Sequence, residues 1–171
     1  AVGDESGTLI PYLDNPKTGP AWDKYYLSTC HGPVGTTLVF RMLYELTGEQ
    51  EYLDWIKRLA RGIIRAGAPE KNSWGYWASN CQCCGAPGVL EHFVSVYELT
   101  GEEEFLEYAK RTADVLVGDS QLLDGKRRWM SAWNRPTPEV VKSFTGFYVG
   151  SAGGSSSLLK LYSALENKPF T

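Results

Sequence analysis

The sequence has no uninterrupted apolar run near the roughly 18 residues that a membrane-spanning helix requires. It has no basic tract longer than Lys126, Arg127 and Arg128, three residues that read as a solvated loop. A net charge of −3 and a pI near 5.4 exclude the basic face that nucleic acid or an anionic membrane surface would call for. Close-set catalytic carboxylates are missing too, since Glu102, Glu103 and Glu104 fit the first turn of a helix. The opening AVGDESGTLIPY lacks the basic-then-apolar order of a secretory signal, as would a trimmed chain. Histidine is scarce, with two residues, and cysteine is confined to four positions.

What is present is ordinary for a globular domain: 43% hydrophobic and 22% charged residues over 171 positions, enough for one domain spanning 1–171 with a real core. Aromatic residues are abundant at 13%, and several stand in loop-like stretches: GPAWDKYY, NSWGYWASN and RRWMSAWNRP. Such residues either plug the ends of a helical scaffold or line a cleft for a peptide or sugar.

The thiols are not scattered. Cys81, Cys83 and Cys84 fall in SNCQCCGAPG, directly before a Gly-x-x-Gly turn, and Cys30 falls in STCHGPVG before another. Cys83 follows Cys30 by 53 residues. The same offset carries CHGPVGTTLVFRMLYELTG onto CCGAPGVLEHFVSVYELTG without a gap. A shorter third copy, YVGSAGGSSSLLKLYSALEN, repeats the two glycines as Gly150 and Gly153. The units are about 28–64, 81–117 and 146–170.

Within a unit, Leu90, Phe93, Val94 and Tyr97 recur at helical spacing, and Phe105, Ala109, Thr112 and Leu116 form a second stripe. Gly101 stops one helix and the acidic residues after it start the next. The pattern predicts an all-α fold of stacked helix hairpins. The segments 65–80 and 118–145 read as long loops, and 1–27 contains no helix. Hairpins of this kind need neighbours on both sides, so the chain is expected to be part of a larger ring or to self-associate.

Equivalent residues of adjacent repeats lie at one rim of such a stack. Cys30, Cys83 and Cys84 should therefore converge, and three thiolates suit Zn²⁺ with a fourth position left open. Other readings of the residues stay open. They are two disulfides, a closed structural zinc that includes Cys81, and buried free thiols. His31, beside Cys30, is a fourth ligand, an acid/base group or a turn residue. His92 reads as a packed or solvated helix residue outside the site.

TCHGPVG, CCGAPGVLEHFVSVYELTG and GFYVGSAGG together resemble the lanthionine synthetase C-like family over about 30–170. The resemblance implies a double-layered α/α-toroid, of which these hairpins form part. It implies a catalytic zinc held by Cys30, Cys83 and Cys84, the last standing where the family usually has histidine. It also implies an enzyme that activates a cysteine thiol of a dehydrated precursor peptide, or another thiol substrate; free thiols, which need a reducing compartment, make the cytoplasm the expected location. That thiol adds to dehydroalanine or dehydrobutyrine to form a thioether, with His31 as the acid. The sequence departs from the family's pattern at Thr29, where a tryptophan is usual, and at His31, where a tyrosine is usual. Two alternatives are a non-catalytic, zinc-stabilised peptide-binding module and a helical-barrel zinc glycosidase. The second would need a Glu where Ser28 stands.

Overall fold

The computed structural model describes residues 2–11, 25–71, 79–132 and 139–170. Among the described residues, five helices carry the architecture: α1 (Pro33–Thr47), α2 (Gln50–Arg65), α3 (Ala86–Thr100), α4 (Glu103–Gly118) and α5 (Ser151–Leu165). Short antiparallel pairs accompany them, β1 (Val2–Asp4) with β2 (Gly7–Leu9), β3 (Gln121–Leu123) with β4 (Lys126–Arg128), and β5 (Ser131–Ala132) with β6 (Val141–Lys142). The chain is all-α in the sense its repeats predict, since none of these ribbons closes into a sheet.

The repeated YELTGE stretch is a local device for turning one helix into the next. Gly48 and Gly101 sit at φ 71° and 69°, the left-handed conformation that ends a helix, and donate their N–H to Tyr44 and Tyr97 at 2.8 and 2.7 Å. The preceding threonine folds back. Thr47 and Thr100 donate their hydroxyls to Leu43 and Val96, and each accepts the N–H of the following glutamate, Glu49 or Glu102, at 3.2 Å. Identical sequence thus makes an identical corner in both hairpins, with an acidic first turn set against the dipole of α2 and α4.

α3 is the central helix. Val89, Leu90, Phe93, Val94 and Val96 are fully or almost fully buried, against Phe105, Ala109 and Leu116 of α4, Leu161 of α5 and Ile56, Ala60 and Ile63 of α2. α1 pairs with α2 but meets α3 only lightly, leaving a seam between them. β2 lies across α2, where Gly62 lets the Thr8 carbonyl come within a distance that a Cβ would forbid. Arg61 of α2 reaches Glu102 at 2.6 Å and Glu104 at 3.1 Å, matching the first hairpin to the start of α4. The end helices leave apolar side chains exposed, Leu38, Met42 and Leu46 on α1 and Leu159 and Tyr162 on α5.

Hairpins stand in one stretch that reads as a long loop and in another that reads only as lacking a helix. In 118–145, Asp124 at φ 49° and Gly125 at φ 72° make the tight turn that joins β3 to β4, so the Lys126–Arg128 run is a strand, with Lys126 and Arg127 exposed and Arg128 half-buried. In 1–27, β1 and β2 turn at Glu5 and Ser6. The β3–β4 ribbon buries too little to leave an apolar pattern, and β2 buries Gly7 and Thr8, which are not apolar side chains, so only the turn residues could have announced either hairpin. Of the aromatic loops, residues 12–24, 72–78 and 133–138 lie outside the described residues. Trp129 is a plug: it is buried and donates its indole N–H to the Leu116 carbonyl at 2.7 Å.

Candidate metal centre

Each of α1, α3 and α5 is entered through a Gly-x-x-Gly turn, and the turns lie side by side. The Thr29 N–H donates to the Cys83 carbonyl at 3.2 Å, and the Cys83 N–H donates to the Tyr148 carbonyl at 3.1 Å. The glycines are required by proximity. Gly32, Gly85 and Gly150 are extended or nearly so, at φ 177°, −135° and −129°, a conformation open to any residue. Yet a Cβ on any of them would fall well inside 3.0 Å of a backbone carbonyl, that of Tyr26, Ser79 or Phe144. The second glycine of each turn meets Thr29, Gln82 or Phe147 in the same way. The chain thus doubles back tightly on itself before each helix, and the residue two before the first glycine is presented at the rim.

In the first two repeats that residue is Cys30 or Cys83; in the third it is Tyr148, so the third turn supplies a carbonyl and no thiol. The Sγ atoms of Cys30, Cys83 and Cys84 all lie within 4.8 Å of one another. Cys30 stands 3.0 Å from both of the others. These contacts are too long for a disulfide, whose sulfurs are about 2.05 Å apart, and all four cysteines are free. Around a tetrahedral zinc with Zn–S about 2.3 Å, sulfurs stand about 3.8 Å apart. A spread of less than about 1 Å from the observed spacing meets that requirement. Three cysteines this close could hold a metal ion. Among the described residues, no further His, Cys, Asp or Glu atom joins the group.

Electrostatics point the same way. Burial first, then the Cys30 side chain, push the Cys83 thiol up to about 11. Cys84 is also raised, by its hydrogen bond to Cys81 and by burial. Side-by-side thiolates repel, and a cation is what lets them ionise together. Cys81 has a different task. It is buried, accepts the Cys84 N–H at 3.3 Å, and lies 3.3 Å from the Ser79 hydroxyl. The Cys84 hydrogen bond draws its thiol down to about 6.

His31 is exposed on the other flank of Cys30, its ring 5.5 Å from that of Tyr26. It lines a groove of about 610 Å³ together with Cys30, Thr36 and Val39. Sequence reasoning did not find the support behind the second turn. Gln82 is buried, donates to Glu91 and accepts the Ser157 hydroxyl at 2.8 Å. Lys160 of α5 lies 3.6 Å from Glu91 and donates to Ser95 at 2.8 Å. None of these residues repeats at the offset of 53, so no pattern marks them.

His92 is not solvated: it is 5% exposed and its Nε2 has no partner. Burial, then the Lys160 charge, hold it neutral down to about 3, against 6.5 for a free imidazole. The unfolded chain takes up this proton below about 6.5 and the folded chain does not, so stability falls as pH drops through that window. In metal-free protein, His92→Phe should flatten the decline of unfolding free energy between pH 6 and 4 by about 1.4 kcal/mol per pH unit. Denaturant titrations of both proteins give that slope, and parallel declines would contradict a buried neutral imidazole.

Helix hairpins joined by glycine turns that gather thiols at one rim define a repeat-built helical protein with a candidate metal site. The profile of the family described as lanthionine synthetase C-like protein matches residues 30–171, and the chain belongs to that family. No individual curated protein matches the chain significantly. Among the described residues, no helix is long and apolar enough to cross a membrane.

Proposed function

We propose that the chain holds zinc through Cys30, Cys83 and Cys84 and activates a peptide cysteine for addition to dehydroalanine or dehydrobutyrine. The observation carrying this reading is the meeting of three sulfurs from two neighbouring repeats, with no fourth ligand atom beside them among the described residues. Bound zinc would lower the pKa of a substrate thiol so that thiolate is available near neutral pH. The protein's residues do the rest. The two turns fix the three ligands before the metal arrives, which spares ordering cost. His31, next to Cys30, takes the thiol proton as a base and returns it to the α-carbon of the enolate. One C–S bond forms, the C=C π bond is lost, and the S–H proton ends on carbon. Three thiolates from Cys30, Cys83 and Cys84 would hold the zinc, and their donation would favour a nucleophilic substrate sulfur over a strongly electrophilic metal. The same chemistry assigns a dehydrated peptide as partner and the reducing cytoplasm as compartment.

Elemental analysis and X-ray absorption on wild type and Cys81→Ser test the proposal. The expected result is one zinc per chain, with three sulfurs and one light-atom ligand in both proteins. Four sulfurs falling to three would make the zinc structural and the chain a binding module, and absence of zinc would end the reading.

A further inference from the structure

Cys81 is the thiol that the metal cluster leaves out, yet it stands in a Cys-x-x-Cys spacing with one of the ligands, Cys84. The repeat offset of 53 matches Cys81 to Ser28, which is buried as well. Serine therefore fills this place in the first repeat, so packing behind the turn does not call for a sulfur. The Ser28 hydroxyl has no hydrogen-bond partner, whereas the Cys81 sulfur is engaged with Cys84.

The turn brings these two cysteines together. The Gly85 N–H donates to the Cys81 carbonyl at 2.9 Å, which closes residues 81–85 into a single helix-like turn ahead of α3. The Cys84 N–H donates to the Cys81 sulfur at 3.3 Å, and the two side chains interact directly. Cα atoms at the ends of a four-residue turn lie within about 7 Å of each other. A disulfide spans about 4.4–6.8 Å between its Cα atoms, so this pair can close by side-chain rotation.

The neighbours settle the pairing. Cys30 stands 3.0 Å from both Cys83 and Cys84. Joining Cys81 to Cys84 leaves Cys30 against Cys83, and every thiol then keeps a neighbour. Exposure settles the order of events, since Cys84 is half-buried and Cys81 is buried. A small oxidant meets Cys84 first, and Cys81 resolves it from behind.

We propose that Cys81 and Cys84 form a reversible redox site, closed to a disulfide by hydrogen peroxide and reopened by a dithiol, and that closing it withdraws Cys84 from the metal cluster. Peroxide turns the Cys84 thiol into the sulfenic acid and releases one water. The Cys81 sulfur then displaces the sulfenic oxygen, which leaves as a second water, and the S–S bond forms. Two electrons pass from the sulfurs to the peroxide, and both thiol protons end in water. The reducing compartment expected for free thiols keeps such a pair open until an oxidant arrives. The metal half rests on the zinc reading; the dithiol half stands on the turn itself.

Zinc-loaded and zinc-free protein would be treated with hydrogen peroxide, the remaining thiols alkylated, and the peptide carrying Cys81, Cys83 and Cys84 mapped by mass spectrometry. The expected product is a Cys81–Cys84 link in both preparations, opened by dithiothreitol. In the loaded protein zinc should leave as the link forms and return on reduction. The closed form should bind zinc at least about 100-fold more weakly, since a ligand is lost rather than a group that supports one. Cys84 linked to Cys30, or Cys81 still taking the alkylating reagent once Cys84 is oxidised, would overturn the proposal. So would zinc retained in full by the closed form. A Cys81–Cys84 link in a chain that takes up no zinc would uphold the redox pair while sinking the zinc reading and the gating that rests on it.

Discussion

Cys30→Ser is expected to weaken zinc binding by more than about 100-fold, beyond the 10–100-fold typical of losing a group that merely supports a ligand. The reason is topological as well as chemical. Cys83 and Cys84 share one turn, whereas Cys30 is the thiol that ties the first repeat to the second, and serine offers zinc a neutral oxygen in place of a thiolate. Zinc at about 1,000 times its wild-type Kd stabilises the folded chain by about 4 kcal/mol, and a 100-fold weaker variant retains only about 1.4 kcal/mol of that. Competition with a chromophoric chelator gives the affinity, and unfolding with and without zinc gives the stabilisation. Unchanged values of both would remove Cys30 from the site and break the link between repeats on which the proposed function rests.

Gly85→Ala should cost about 3 kcal/mol or more, because overpacking against backbone has no flexible neighbour to absorb it. The added Cβ would lie inside 3.0 Å of the Ser79 carbonyl carbon, its oxygen and its Oγ. To relieve that, the turn must open, at the expense of the Gly85–Cys81 and Ala86–Ser79 backbone hydrogen bonds, each 2.9 Å. Since Cys83 and Cys84 ride on this turn, zinc uptake should fall with stability. Gly101→Ala is the control. It has nothing within 4 Å and suffers only its left-handed φ of 69°, worth about 1–2 kcal/mol. Its zinc affinity should stay at the wild-type value. Denaturant unfolding and chelator competition on both variants decide the matter. If Gly85→Ala were no worse than Gly101→Ala, close chain approach would not be the reason for the glycine.

The positions of the helices were legible because period 3.6 and the YELTG corner are local. Leu90, Phe93 and Val94 announce a buried face, and Gly101 with Thr100 closes the corner using atoms within a few residues of each other. The hairpin at Asp124-Gly125 is equally local, but its strands are exposed up to Arg128 and show no apolar alternation to announce them. His92 looked like any histidine in a helix. That its ring is buried follows from α5 packing on α3, which brings Lys160 nearby.

The repeat offset by itself determined that Cys30 and Cys83 belong at matching places, because equal sequence at equal spacing folds into equal turns. The motifs around these turns carried the resemblance to the lanthionine synthetase C-like proteins, whereas the need for glycine comes from a close chain approach that only the folded turns show. Only the tertiary structure decided which thiol stays out of the cluster, since Cys81 and Cys83 differ by two residues in the chain and the direction of each sulfur depends on how the turn closes. Only it revealed the Gln82–Glu91–Lys160 support and the burial of His92. Those groups come from two helices and a turn, and what they share is set by packing distances that no single stretch of sequence encodes.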